Sequence, residues 1–248
     1  MKRYGLIGYP LGHSFSRAYF NDKFEKLGLE ETHRYDVFEM EYLKDFESLW
    51  ARNPDLVGVN VTVPHKEHIQ RFLSRLDSSA RKVEAVNVVK REGNQLVGYN
   101  TDYLGFKQSV INYFQGEITC ERALILGVGG AAKAVESALI DLGIKYALVS
   151  RSAKKGDYTY KELKEDPSVV EKAGMVINTT PLGMHPNIDT KPDIPYEVIH
   201  PEQYLYDLVY NPEETAFMKE GRERGAKTKN GLEMLHIQAD KAWEIWNS

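Results

Sequence analysis

RALILGVGGAAKAVE, residues 122–136, passes from a short apolar run through a glycine turn into a helical pattern. Residues 123–126 are long enough for a buried strand. Gly127, Gly129 and Ala132 follow at the spacing G-x-G-x-x-A. From Gly130 onward the apolar positions Ala131, Ala134, Val135, Ala138, Leu139 and Leu142 recur at helical spacing. Strand, tight turn and helix in that order form the context of a dinucleotide fingerprint. Gly127 permits the turn, Gly129 carries no Cβ to block a pyrophosphate, and Ala132 lets helix and strand pack closely. The N–H groups at the helix start lack intrahelical partners and, with the helix dipole, favour phosphate; Gly130 and Ala131 supply the first of them.

The remaining composition narrows the class. With 248 residues there is room for one large or two small domains. A net charge of −4 argues against general nucleic-acid or membrane-surface binding. Cys120 is the single cysteine, so no intrachain disulfide forms, which suits a reducing cytoplasm. The chain enters a strand pattern at once, without a signal-peptide pattern, and no apolar run approaches the ~18 residues of a membrane span.

Strand-like and helical runs alternate from residue 4 onward, which predicts mostly parallel sheets with helices on their faces. Residues 4–8, 34–38 and 57–63 read as strands, and 86–90 with 96–99 as a hairpin around Gly93-Asn94. Pro64 suits the first turn of a helix carrying Ile69, Phe72, Leu73 and Leu76. A helix over 104–114 precedes the glycine-turn strand. Residues 146–149, 174–178 and 204–208 continue as strands, 227–231 as a polar turn, and a final helix begins at Leu232. The boundaries follow: residues 1–103 plus 232–248 form a discontinuous first domain and 104–231 a second, with a cleft between two lobes.

Polar residues at the carboxyl ends of strands are the candidates for chemistry. Ser14 and Ser16 follow the first strand as a pair of hydroxyls, with Ser16 equally suited to cap the next helix. In the predicted helix Lys66 sits in the first turn, where the dipole disfavours a cation and lowers its pKa toward an acid–base role. His65 and His68 lie three apart, yet no third ligand is evident, so both read as surface histidines and no metal site is inferred. Asp102 is either a helix cap or a carboxylate at the cleft. Asn87 is a polar residue inside an apolar run and needs hydrogen-bond partners if buried. After the second strand of the nucleotide domain, Ser150-Arg151 with Lys154 and Lys155 stands where an NAD site commonly has an acid. A basic cluster there fits the 2′-phosphate of NADP.

Six segments in order, GYPLGHSFS (8–16), NVTVPHK (60–66), GYNTD (98–102), GVGGA (127–131), NTTPLGM (178–184) and GLEML (231–235), resemble the shikimate dehydrogenase family over nearly the full length. The resemblance implies two α/β domains: a discontinuous N-terminal substrate domain and a Rossmann-like NADP-binding domain. It implies reversible, NADPH-dependent reduction of 3-dehydroshikimate to shikimate, on the route to aromatic amino acids. On that basis Lys66 and Asp102 form the catalytic pair. Ser14 and Ser16 hold the substrate carboxylate, and Thr62, Asn87, Tyr210 and Gln238 contact the rest of the substrate. Gly127, Gly129, Gly130, Ala131, Ser150, Arg151, Lys155, Thr179 and Gly231 hold the cofactor. The partners are then small molecules, without nucleic acid or membrane, for a monomer or homodimer. Two alternatives share the scaffold: a quinate/shikimate dehydrogenase using NAD, and an inactive NADP-binding sensor.

Arg151 yields the first test. Its guanidinium can meet a 2′-phosphate through parallel hydrogen bonds. Arg151→Ala should weaken NADP by ~1.5–3 kcal/mol and leave NAD nearly unchanged in competition titrations. Equal weakening of both cofactors would mean that Arg151 only stacks on the adenine.

Overall fold

Each of the two sheets grows outward from an apolar strand. The chain is described by a computed structural model covering residues 1–11, 15–115 and 118–248. It divides into one unit of Met1–Asp102 with Gln238–Ser248 and another of Tyr103–Ile237.

The first unit opens with β1 (Lys2–Gly8), α1 (Phe15–Lys26), β2 (His33–Glu39), α2 (Phe46–Arg52) and β3 (Leu56–Val61). A two-residue strand β4 (Arg75–Leu76) and helix α3 (Ser78–Val83) lead into the hairpin β5 (Val88–Glu92) and β6 (Gln95–Tyr99). The strand order is β2-β1-β3-β5-β6-β4. β1 pairs in parallel with β2 and β3, whereas β5 is antiparallel to both β3 and β6. Side-chain alternation divides β1 between two cores. Tyr4 and Leu6 join Phe20, Phe24, Tyr35 and Trp246 on one face, while Ile7 joins Phe46, Trp50, Val59 and Ile69 on the other.

The turn after β3 departs from the sequence-based expectation. Residues 64–67 form turns, and the helical hydrogen bonding that follows is a short 3₁₀ segment, His68–Phe72, rather than an α-helix running to Leu76. Leu76 belongs to β4 and pairs with Gly98. The apolar spacing of Ile69 and Phe72 suits either helix type, and pairing with β6 takes residues 75–76 for the sheet.

Helix α4 (Asp102–Tyr113) begins on the last residue before the second unit, and β7 (Arg122–Leu126), α5 (Gly130–Asp141), β8 (Lys145–Ser150) and β9 (Tyr158–Thr159) follow within that unit. The chain continues through α6 (Tyr160–Glu165), α7 (Ser168–Glu171), β10 (Met175–Asn178), β11 (Tyr204–Asp207), α8 (Ala216–Glu223), β12 (Lys227–Lys229) and α9 (Leu232–Asn247). Its sheet, β12-β11-β10-β7-β8-β9, is parallel throughout. β12 replaces the expected polar turn: Lys227, Thr228 and Lys229 pair with β11 at the sheet edge, where polar side chains keep their access to water. The division between units falls inside α9, where unbroken helical bonding leaves no punctuation in the sequence. Among the described residues no helix is long and apolar enough to cross a membrane.

Trp246 fastens α9 onto the first sheet. It is 3% exposed, its indole N–H donates to the Val89 carbonyl at 3.1 Å, and a Cβ on Gly58 would stand 2.2 Å from its Nε1. Trp246→Ala removes this packing and should cost about 3–5 kcal/mol, read from the urea midpoint and melting temperature. A change below about 1 kcal/mol would show that α9 is held elsewhere.

Candidate functional site

In the first unit the expected polar residues meet at the carboxyl ends of β3 and β6. Lys66 stands in the turn that leaves β3, held by a bond from the Val86 N–H to its carbonyl at 2.8 Å. Its neighbour His65 fixes the other side of the turn: the ring Nε2 lies 2.5 Å from the Met40 carbonyl, and the side chain is 4% exposed. His65 is therefore a buried anchor, which corrects its reading as a surface histidine; His68 is exposed. Because no α-helix begins at Pro64, the helix-dipole argument for Lys66 falls away. A direct ion pair stands in its place, with Nζ donating to Asp102 Oδ2 at 2.7 Å.

Asp102 is the first residue of α4 rather than its cap, and its side chain is almost fully buried. Its second oxygen, Oδ1, accepts from the Asn87 amide at 3.0 Å. Asn87 lies between β3 and β6 and joins them through its backbone: the Val61 N–H donates to its carbonyl, and its N–H donates to the Tyr99 carbonyl. Its side-chain Oδ1 accepts from the Thr101 N–H at 2.7 Å. Its Nδ2 faces Thr101 Oγ1 at 3.0 Å, Asp102 Oδ1 at 3.0 Å and Gln238 Oε1 at 3.2 Å. Two amide protons thus serve three acceptors. Lys66 uses one proton on Asp102, and its other two have no partner among the described residues.

Ser16 and Thr62 lie in the same unit. Ser16 is in α1 and hydrogen-bonds the Tyr35 hydroxyl, which in turn donates to Asn60 Oδ1 at 2.7 Å. Burial pushes the Tyr35 phenol pKa well up, so it remains a neutral donor. Thr62 continues the β3 edge with its N–H on the Ile7 carbonyl, half-buried. Ser14 lies outside the described residues. Tyr35, Asn60 and Thr101 were not singled out from sequence; the only available signal was the polar Asn60 and Thr101 beside the strand patterns.

In the second unit the glycine turn has the expected form. Gly127 has φ of +115°, a conformation for which glycine is suited, and a Cβ there would meet Thr179 Oγ1 at 2.7 Å. A Cβ on Gly129 would meet no protein atom within 4 Å, so the space over that residue is open. Gly129 precedes α5 without a side-chain cap, leaving the first N–H groups of Gly130 and Ala131 to other partners. Ala132 is buried against the sheet. Thr179 donates from both N and Oγ1 to the Leu126 carbonyl, at 3.0 and 2.8 Å. Gly231 meets the end of β11 so closely that a Cβ would stand 2.2 Å from the Leu208 carbonyl oxygen. Tyr210, half-buried, has its phenol pKa raised by burial.

At the end of β8, Ser150 is buried and its Oγ accepts from the Ser152 N–H at 3.2 Å, so it shapes its own turn. Arg151, Lys154 and Lys155 are exposed around it. A shallow depression of about 440 Å³ bordered by Cys120, Arg122 and Lys145 lies instead at the start of β7 and β8, the opposite end from the glycine turn. Among the described residues no group of three or more His, Cys, Asp or Glu is arranged to hold a metal ion.

Residues 6–89 match the model of the shikimate dehydrogenase substrate binding domain. The chain is 42% identical over 257 residues to the shikimate dehydrogenase (NADP(+)) of Clostridium beijerinckii, covering 99% of this chain and 92% of that relative. Its fold is similar to the crystal structure of shikimate dehydrogenase 1 from Peptoclostridium difficile, at TM-score 0.84 and 37% identity over 100% of this chain and 92% of that one. It is also similar to the Thermus thermophilus shikimate 5-dehydrogenase solved in complex with NADP(H) and shikimate, at TM-score 0.86 and 29% identity over 99% of this chain and 93% of that one.

Asn87→Asp tests the buried cluster. It sets a second carboxylate where Nδ2 now lies 3.0 Å from Asp102 Oδ1. The new group's folded pKa is then raised above its unfolded value. A raised carboxylate pKa retains stability below the unfolded pKa and loses it as pH rises through the folded value. The melting-temperature deficit against wild type should therefore widen between about pH 4 and pH 7. An equal deficit at both would mean that the two groups do not interact.

Proposed function

Because this chain belongs to the shikimate dehydrogenase family, we propose that Lys66 and Asp102 are the acid–base pair of its reversible, NADPH-dependent reduction of 3-dehydroshikimate to shikimate. It is an NADP-dependent oxidoreductase acting on a CH–OH group, and its product leads toward aromatic amino acids. The names of the relatives support this activity rather than that of an NAD-using quinate enzyme or an inactive sensor.

The observation that carries the assignment of the pair is the 2.7 Å contact between Lys66 Nζ and Asp102 Oδ2, with Asn87 on the other carboxylate oxygen. Reduction of a ketone needs a hydride at carbon and a proton at oxygen. Bound NADPH supplies the hydride. Lys66 donates the proton to the ketone oxygen, and in the oxidative direction takes it back. Asp102 keeps the ammonium in one place and offers an acceptor to a neighbouring substrate hydroxyl. The position of Asn87 on Asp102, of Gln238 on Asn87, and of a Thr62 hydroxyl that has no partner among the described residues supports their role toward the ring hydroxyls. Ser14 and Ser16 complete the reading as donors to the carboxylate, with Tyr210 as a further substrate contact.

The cofactor fits the second unit on the features of its turn. The positive φ of Gly127, the open space over Gly129 and the uncapped start of α5 suit a pyrophosphate on the N–H groups of Gly130 and Ala131. Thr179 and Gly231 border the same strand ends. Arg151 and Lys155, with Ser150 shaping their turn, suit the 2′-phosphate. A reducing cytoplasm fits the single cysteine, and a monomer or homodimer completes the proposal.

Lys66→Ala should lower kcat by ~10²–10⁴-fold while shikimate binding is retained. Asp102→Asn should also cripple turnover, and the double variant should be little worse than either single one, because the residues act as a unit. Following NADPH absorbance with 3-dehydroshikimate, then dehydroquinate, then with NADH, tests substrate and cofactor in one series. A Lys66→Ala loss below about tenfold, or full additivity in the double variant, removes the pair from the proton-transfer role.

A further inference from the structure

Asp207 closes β11 and is fully buried. No lysine, arginine or histidine pairs with it among the described residues; every partner is a neutral donor. Oδ1 accepts from the Asn178 amide at 2.9 Å and from the Val209 N–H at 2.9 Å. Oδ2 accepts from the Thr215 hydroxyl at 2.6 Å. Burial pushes its pKa up to about 6, with the three hydrogen bonds opposing that rise. A carboxylate in such a place costs stability compared with a neutral group of the same shape. What it provides is acceptor capacity: two oxygens taking donors from three separate segments at once.

Two of the three segments lead to residues read above as part of the nucleotide site, and the third anchors the start of α8. Asn178 ends β10, and Thr179, directly after it, bonds the Leu126 carbonyl and packs on the Gly127 turn. Asn178 Oδ1 also accepts from the Thr180 N–H and hydroxyl, at 3.0 and 2.6 Å, so its amide orientation sets this whole corner. Val209 accepts the Gly231 N–H at 3.2 Å, ahead of α9, and precedes Tyr210. Thr215 caps α8 by accepting from the Met218 N–H.

We propose that Asp207 is a positioning residue for nucleotide binding, its buried carboxylate holding the Thr179 corner and the Val209–Gly231 contact in one geometry. This rests on the reading of Gly127, Thr179 and Gly231 as cofactor residues. Asp207 itself touches no ligand and acts through Asn178 and Val209.

The test is calorimetric titration of NADP into the intact protein, well below each variant's melting transition, which needs no turnover. Asp207→Asn keeps the shape and one acceptor oxygen but loses the second. NADP should bind about tenfold more weakly, while the melting temperature at neutral pH holds or rises because a buried charge has gone. A purely structural role would lower the melting temperature and leave affinity alone. Thr215→Val removes a single donor and should weaken NADP in the same direction, by less; it serves if Asp207→Asn does not fold. NADP affinity within about twofold of wild type in the folded variants overturns the proposal. Wild-type protein that fails to bind NADP would overturn the cofactor reading instead.

Discussion

A carboxylate removed from water must be met by donors, and each unit of this protein meets one differently. In the first, Asp102 has a lysine ammonium on one oxygen and an amide on the other. In the second, Asp207 has only neutral donors, and its pKa rises to about 6. The ammonium makes Asp102 one half of an ion pair, whereas the neutral shell of Asp207 makes it a hydrogen-bond junction.

The sheets explain why these carboxylates lie where they do. Parallel strands end together on one edge, so their last residues and the turns beyond them converge. In the second unit this brings Asn178 beside Asp207 and Thr179 beside Gly127 without long side chains. In the first, the antiparallel β5 runs against its neighbours, so the residues just before it, Asn87 among them, arrive at the same edge as the ends of β3 and β6. Val61 and Tyr99 bond the Asn87 backbone from either side, which fixes its carboxamide between Thr101, Asp102 and Gln238.

The Lys66 turn shows a local propensity losing to tertiary contacts. Proline at the start of a helical pattern is a sound helix signal. Here the Val86 N–H on the Lys66 carbonyl and His65 against Met40 hold the segment in turns, and residues 75–76 join the sheet. Lysine is thereby placed by packing from residues 20 or more positions away rather than by a helix of its own.

By itself the sequence determined the elements whose causes are local. The apolar run, positive-φ glycine and helical spacing of 122–142 specify strand, turn and helix, because each step depends on neighbours within a few residues. It also determined which residue types were available for chemistry: Lys66 and Asp102 stand out as charged groups after strand ends, and Asn87 as a polar residue inside an apolar run. Tertiary structure alone decided their partners. Nothing local tells that His65 is buried, that Asn87 must divide two protons among three acceptors, or that Lys227–Lys229 adds an edge strand. The junction at Asp207 is the clearest case, since its three donors come from positions 178, 209 and 215. Burial and hydrogen-bond satisfaction are properties of the closed fold, so they become legible only when distant strand ends have come together.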